Sequence, residues 1–344
     1  MIAAIRRWPS TIRGSTPGMP RIGLVLGGGG VVGQAFHAGV LAALYDATGW
    51  DARDAAVIVG TSAGAVVAVE LRAGLGPLDQ VAICAGRKLS ADGRRLLTRL
   101  GPEPNVSPSR VDVDLREAAR SYHRLSTRAI LSPLTVQPGV LASASMPPGR
   151  ISTEWLSARV RWLNGGGAWP ERPLWVSAVR LDSGKRVMYG APGEPRVDLG
   201  DAVAGSCAIP GYFAPVLIDG AFHVDGGAHS PTSADVLQAR GLDLVVVSSP
   251  MSLAAMAGWH GADVVMRNSH HRTLAVEMAR VRRNGTPVVA FEPGTRDLEV
   301  MGSLLSDSLD PDRMSAVQHR IRASAPDWLS RETIRFLQSS ARAA

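Results

Sequence analysis

Gly60-Thr61-Ser62-Ala63-Gly64 spells GxSxG, set between the short apolar run Val57 to Val59 and the helical stretch Ala65 to Ala73, which Gly74 ends. The setting carries more weight than the letters. A serine is useful as a nucleophile where a tight strand-to-helix turn thrusts its Oγ out of the sheet. Gly60 and Gly64 clear the room such a turn needs, and the N–H of Ala63 at the helix start can point at a developing oxyanion. The alternative for Ser62 is plain helix capping, in which its hydroxyl accepts a bond from the first turn.

A second stretch, Gly27 to Gly30, follows the apolar run Ile22 to Leu26 and precedes Phe36, Val40, Leu41 and Leu44 at helical spacing, with Gly49 as the stop. Glycines between a buried strand and a helix present bare N–H groups, and the helix dipole adds positive field, so the loop suits an anion. A phosphate-binding P-loop would need Gly-Lys and a hydroxyl residue at its end, whereas Gly33 is followed by Gln34 and Ala35. Gly28, Gly30 and Gly33 satisfy GxGxxG, but the ribose-binding acid belongs at the end of the second strand, where Gly60-Thr61-Ser62 stand. Asp51 and Asp54 precede that strand. The oxyanion of a carbonyl under attack remains, with the N–H groups of Gly28, Gly29, Gly30 and Ala63 as donors; a turn that needs glycines for packing alone is the bland alternative. Gly165 to Gly167 have no helical pattern behind them and read as an ordinary loop.

A serine hydroxyl needs a base. Asp225 ends the apolar run Phe222 to Val224 and is followed by Gly226-Gly227, which would hold a carboxylate at a strand end on closely approached backbone. Asp219-Gly220 sits between two short runs and reads as a hairpin turn. His223 is the challenger, because residues 223 and 225 of a strand share a face, and His229 lies just beyond the glycines. A histidine base would make an ordinary triad, with Asp225 orienting an imidazole.

The elements that must position these groups are two consecutive strand-turn-helix units, which imply a parallel sheet. Hairpins are expected over Leu174 to Val179 with Arg186 to Tyr189, and over Val216 to Ile218 with Phe222 to Val224. Further strands are expected at Leu244 to Ser248 and Pro287 to Phe291, and helices over Val264 to Arg283 and residues 310–340. Residues 86–150 are rich in proline around apolar patches such as Leu96, Leu97, Leu100 and Ile130, Leu131, Leu134, and read as an insertion or lid over the core. The expected layout is a mobile basic extension over 1–20 and one α/β domain over 21–344, closing with a helical segment over 295–344.

Composition narrows the class. With 45% hydrophobic and 19% charged residues over 344 positions, the chain can bury a sizeable core. Cys84 and Cys207 lack CxxC spacing, so neither a disulfide framework nor a metal site is indicated, and a reducing, cytoplasmic setting is expected. The N-terminal stretch is read as no secretory signal. No transmembrane helix is expected, since the longest uncharged stretches, Ala55 to Val69 and Leu244 to Ala262, are studded with Gly, Ser, Thr or Pro. The net charge of +7 rests on arginine; its scatter, without basic-aromatic clusters, argues against nucleic acid. Ile2, Ile5 and Trp8 in the basic lead-in offer peripheral contact with an anionic membrane surface as the alternative to a plain mobile tail.

Together these residues resemble the patatin-like phospholipase family, which shows a GGGxRG loop, a GxSxG turn and a DG(A/G) motif in this order. Ser206-Cys-Ala-Ile-Pro-Gly-Tyr-Phe-Ala-Pro-Val216 also resembles its SxAxPxxFxPV segment. The resemblance spans about residues 22–232 and implies an α/β three-layer sandwich with a mostly parallel central sheet. It implies a Ser-Asp dyad without histidine: Ser62 attacks an acyl ester of a lipid, Asp225 is the base, and an acyl-enzyme is hydrolysed by water, with no cofactor or metal. Gly27, Gly33, Gly60, Gly64, Gly226 and Gly227 support the motifs. One departure is Val32, where the family commonly has a basic residue. A catalytically idle lipid-binding or regulatory module of the same fold, and an acyltransferase or thioesterase using the same dyad, stay open.

Overall fold

Among the residues described by the computed structural model (20–111, 118, 120–123, 137–253, 262–304 and 306–343), eight strands form one sheet. They are β1 (Ile22–Leu26), β2 (Val57–Thr61), β3 (Leu174–Arg180), β4 (Arg186–Tyr189), β5 (Val216–Ile218), β6 (Ala221–Asp225), β7 (Leu244–Ser248) and β8 (Val288–Phe291). The order is β5-β6-β3-β2-β1-β7-β8, with β4 paired to β3. The stretch β3-β2-β1-β7-β8 is parallel throughout, and β4, β5 and β6 join by antiparallel pairings.

Strands β1, β2 and β7 are buried along their whole length, as parallel strands covered on both faces must be. Their side chains alternate between two cores. Leu24, Leu26, Ile58 and Val246 face one side, where they meet Phe36, Leu41 and Leu44 of α1 (Gly30–Thr48) and Val67 and Leu71 of α2 (Ala63–Ala73). Val25, Val59, Val245 and Val247 face the other, against Leu274, Met278 and Val281 of the helix Ala262–Arg283. The result is the three-layer α/β sandwich with a mostly parallel sheet that the family resemblance implies.

The expected strands, hairpins and first two helices all form, with shifts at their ends. β2 runs on to Thr61 and α2 begins at Ala63, so the nucleophile turn narrows to Ser62 itself. The region 310–340 holds two helices, Met314–Ser324 and Arg331–Ala343, divided by a 3₁₀ turn that contains Pro326. The start of the expected insertion is part of the core: Leu96 of the helix Ala91–Leu100 is buried, and Leu97 and Leu100 pack beside it. Ile130, Leu131 and Leu134, on which the lid reading leans, lie outside the described residues, as does the lead-in 1–19. No helix among the described residues is long and apolar enough to cross a membrane.

The register around β3 decides where the candidate site falls. Ser177 pairs with Thr61 of β2 and with Met188 of β4, while the next residue, Ala178, pairs with Asp225 of β6 and with Val187 of β4. Because β4 occupies one edge across both rungs, β2 and β6 must share the other. They meet there head to head, the last residue of each on adjacent rungs about 3.3 Å apart along β3. A hairpin returning antiparallel thereby brings Asp225 to the point where the chain leaves β2 for Ser62.

Candidate active site

Ser62 occupies the N-cap position of α2, yet its side chain makes no capping bond. Its backbone has φ 52° and ψ −120°, a region that non-glycine residues enter at a cost of about 1–3 kcal/mol and that clusters at functional sites. The surroundings hold the strain in place. Ser62 donates its backbone N–H to Oγ of the buried Ser206 at 2.9 Å, and a Cβ on Gly64 would collide with the carbonyl oxygens of Leu26 and Gly27. Gly60 is likewise closed in, a Cβ there falling 2.5 Å from the Cα of Ala65. The hydroxyl is left facing Asp225.

Asp225 closes β6 and starts a 3₁₀ turn over Gly226–Ala228. Its carboxylate Oδ1 accepts the Gly227 N–H at 2.7 Å, and its own N–H donates to Ala208 O at 3.0 Å. Gly226 is seated so tightly that a Cβ would lie 2.5 Å from the Ser177 carbonyl oxygen. Burial raises the Asp225 pKa to about 6, against the opposing hydrogen bonds of the Ser62 side chain and the Gly227 N–H. A carboxylate so placed holds a proton more readily than an exposed one and is still ionised at neutral pH.

The glycine loop lies directly against the serine: a Cβ on Gly28 would stand 3.5 Å from Ser62 Cβ, and one on Gly33 3.4 Å from Ala63 Cβ. Its N–H groups are not equivalent. Gly27 donates to Ser248 O at 3.0 Å, Gly28 to Pro231 O at 2.8 Å, and Gly33 to Gly29 O at 2.8 Å. Gly29, Gly30 and Ala63 have no partner for theirs among the described residues. Gly28, expected among the donors, therefore has its N–H committed. The N-termini of α1 and α2 converge here and supply positive field. Val32 sits in the main core, 3% exposed, with its N–H bonded to Ser308 O; a basic side chain there would have to be buried.

Neither challenging histidine is engaged with the serine. His223 is fully buried, with Nδ1 2.9 Å from its own strand's Ala221 O, to which it donates, and Nε2 2.7 Å from the Tyr189 hydroxyl. The charged groups around His229 are Arg186, Asp235 and Arg280. Burial lowers both pKa values to about 4.

Several residues around the site were not singled out by type or spacing. His37 of α1 is fully buried, donates from Nε2 to Gly27 O at 2.7 Å, and accepts the Ser248 hydroxyl at Nδ1, also 2.7 Å, so it ties the glycine loop to β7. Cys207 borders both Ser62 and Asp225, and burial together with the Asp225 charge pushes its thiol well above the usual pKa, so it is an unreactive neighbour. Ser206 had a signal, as the first letter of the segment quoted above. His37 had none, because a histidine among apolar helix positions reads as core. No group of residues that could hold a metal ion occurs among the described residues.

His37 also predicts an acid sensitivity. Its folded pKa, about 4, lies below the ordinary 6.5, as does that of His223. The unfolded chain therefore takes up the protons first, and stability present above pH 6.5 is lost as pH falls towards 4. Each imidazole contributes on the order of 3 kcal/mol by the size of the shift, and the raised Asp225 pKa offsets part of the loss. Urea midpoints at pH 7.5 and 4.5 should differ clearly, and His37→Phe should narrow the difference. Equal midpoints in the parent would contradict the neutral, buried state of these rings.

The sequence model of the patatin-like phospholipase family matches residues 24–237. Curated relatives include uncharacterized NTE family proteins of Mycobacterium bovis and Mycobacterium tuberculosis, 29% identical over 247 residues; the match covers 70% of this chain, which spans about half (52%) of their length. Among solved structures, the chain is similar to VipD from Legionella pneumophila, with 16% identity and a TM-score of 0.43 over 95% of this chain and 68% of that one. It is also similar to ExoU in its complex with SpcU from Pseudomonas aeruginosa, with 18% identity and a TM-score of 0.31 over 90% and 52% of the two chains. The family match takes in both strand-turn-helix units, the hairpin that delivers Asp225 and the turn behind it, and the chain belongs to the patatin-like phospholipase family.

Proposed function

We propose that this protein is a serine-dependent lipid acyl hydrolase in which Ser62 is acylated and Asp225 is the only base. The observation that carries the reading is a buried carboxylate, its pKa raised to about 6, facing the hydroxyl of a serine held at φ 52°. Asp225 takes the Ser62 proton as Oγ bonds to the ester carbonyl carbon. The resulting oxyanion sits before the free N–H groups of Gly29, Gly30 and Ala63, which need no reorganisation to receive it. As the tetrahedral centre collapses, the ester C–O bond breaks and the alcohol leaves with the proton from Asp225. Water then attacks the acyl-enzyme as Asp225 accepts its proton, and Asp225 passes that proton to Ser62 Oγ as the Oγ–acyl bond breaks and the free acid leaves. Gly28 shapes the loop through Pro231 and donates nothing to the oxyanion.

A fluorophosphonate, which mimics the tetrahedral intermediate, should label the protein once, on the peptide containing Ser62, and the Ser62→Ala variant should not be labelled. Hydrolysis of acyl esters of graded chain length, alone and in lipid vesicles, should be lost in the same variant. Label or turnover that survives in Ser62→Ala would exclude this nucleophile; a folded parent that neither labels nor hydrolyses would favour an idle lipid-binding module.

A further inference from the structure

The helix Ala262–Arg283 lies beyond the family match, which ends at residue 237, yet one of its residues reaches the loop behind Asp225. Glu277 is 4% exposed. Its Oε1 accepts the Ser230 hydroxyl at 2.6 Å, and its Oε2 accepts the Thr232 hydroxyl at 2.6 Å and the Ala234 N–H at 2.8 Å. No ion pair to Glu277 occurs among the described residues, so neutral donors alone compensate a buried carboxylate. Burial raises its pKa, and these three donors oppose the rise. Such an arrangement costs desolvation that an apolar side chain would avoid.

Those bonds straddle Pro231, whose carbonyl holds the Gly28 N–H. Residues 226–234 thus face two ways. Their first part carries Asp225, through Gly227 N–H to Oδ1 and Ser230 N–H to Gly226 O at 3.1 Å. Their middle sets the height of the glycine loop: a Cβ on Gly27 would lie 3.1 Å from Pro231 O and 3.2 Å from Thr232 Cγ2. The loop is also strained, with Ser233 at φ 53°, and Ser230 Oγ pins it by accepting the N–H groups of Thr232 and Ser233 while donating to Glu277.

We propose that Glu277 is a positioning residue that holds the base, Asp225, and the oxyanion loop in a single register through Ser230, Pro231 and Thr232. The proposal rests on the hydrolase reading above for its catalytic consequence, but the mechanical link to Gly28 stands apart from it. A shift of about 1 Å in a reacting geometry costs roughly 10²-fold. An amide at position 277 retains one acceptor oxygen where the carboxylate has two. Its NH₂ would then oppose either the Ala234 N–H, which cannot turn away, or a Ser230 oxygen that already accepts two N–H groups.

The test compares the full-length parent with Glu277→Gln and Thr232→Val, measuring kcat and KM on an acyl ester, thermal midpoint, and exchange of the Gly28 amide hydrogen. For Glu277→Gln we expect kcat to fall roughly 10- to 100-fold with KM within about twofold, and Gly28 exchange to quicken about tenfold in the folded state. Thr232→Val should move both in the same direction by less. Unchanged kcat with unchanged Gly28 exchange overturns the proposal. So does a fall in kcat that tracks the fall in thermal midpoint while Gly28 exchange quickens no more than that of amides remote from the loop, because that is general destabilisation. If Glu277→Gln does not fold, Thr232→Val decides on the same criteria. If the parent hydrolyses no ester, the hydrolase reading fails, and Gly28 exchange alone decides whether Glu277 holds the loop.

Discussion

Asp225→Asn is expected to lower turnover of an acyl ester on the order of 10²- to 10⁴-fold, the worth of a positioned base, while the folded protein loses no stability. The substituted side chain keeps an oxygen for the Gly227 N–H but has no site for the Ser62 proton. Stability moves the other way because the parent buries a charge: the Asp225 pKa is about 6, against an ordinary value near 3.8. A raised carboxylate pKa means that the native state binds the proton more tightly than the unfolded one. Above pH 6 the ionised group therefore costs stability, on the order of 2–3 kcal/mol, and the cost vanishes as pH falls from 6 towards 4. Asp225→Asn removes it, so the thermal midpoint at pH 8 should hold or rise as activity disappears, a trade expected at sites built for chemistry. In the parent, kcat/KM should fall tenfold per pH unit below about 6, after correction for the folded fraction. His223→Gln and His229→Gln should cost far less than Asp225→Asn. If either histidine variant, folded by circular dichroism, were as inactive as Ser62→Ala, the base would be an imidazole and Asp225 its orienter.

A chain ending at residue 237, where the family match ends, is expected to lose both fold and labelling completely. Its motifs would all be present, but its sheet would lose the two strands beyond β1. β7 pairs with β1 along the full length of β1, and β8 lies outside β7, so the truncation turns a strand buried along its whole length into a bare edge. It also removes Ser248, whose carbonyl holds the Gly27 N–H and whose hydroxyl holds His37, and it removes Glu277. Soluble expression, circular dichroism and fluorophosphonate labelling of residues 20–237 beside the full chain would measure this. A soluble, labelled fragment would show that β7 and β8 are dispensable.

The elements were legible because their signals are local. Apolar runs bounded by glycines mark β1 and β2, helical spacing marks α1, and Asp219-Gly220 marks a hairpin whose two residues take φ 48° and 71°. End positions were less legible. β2 extends through Gly60 and Thr61 because neighbouring strands supply hydrogen-bond partners that propensity does not register. Proline-rich composition gave Ala91–Leu100 the look of an insertion, whereas burial of Leu96 in the main core depends on helices far away in sequence.

The sequence by itself determined which residue types stand at which turns: a serine between glycines after a strand, a run of glycines before a helix, an aspartate before a glycine pair. These are backbone requirements, met residue by residue, so they can be read in order. Only the tertiary structure decided how they meet. The shared edge of β3, on which β2 and β6 end head to head, sets Asp225 beside Ser62. The pairing of N–H groups in the glycine loop, with Gly28 committed to Pro231 and Gly29 and Gly30 free, follows from a loop some two hundred residues away. His37 and Glu277 carry no signature because their partners lie 10 to 211 and 43 to 47 residues distant. A buried polar group is defined by what surrounds it, and its surroundings exist only once the chain has folded.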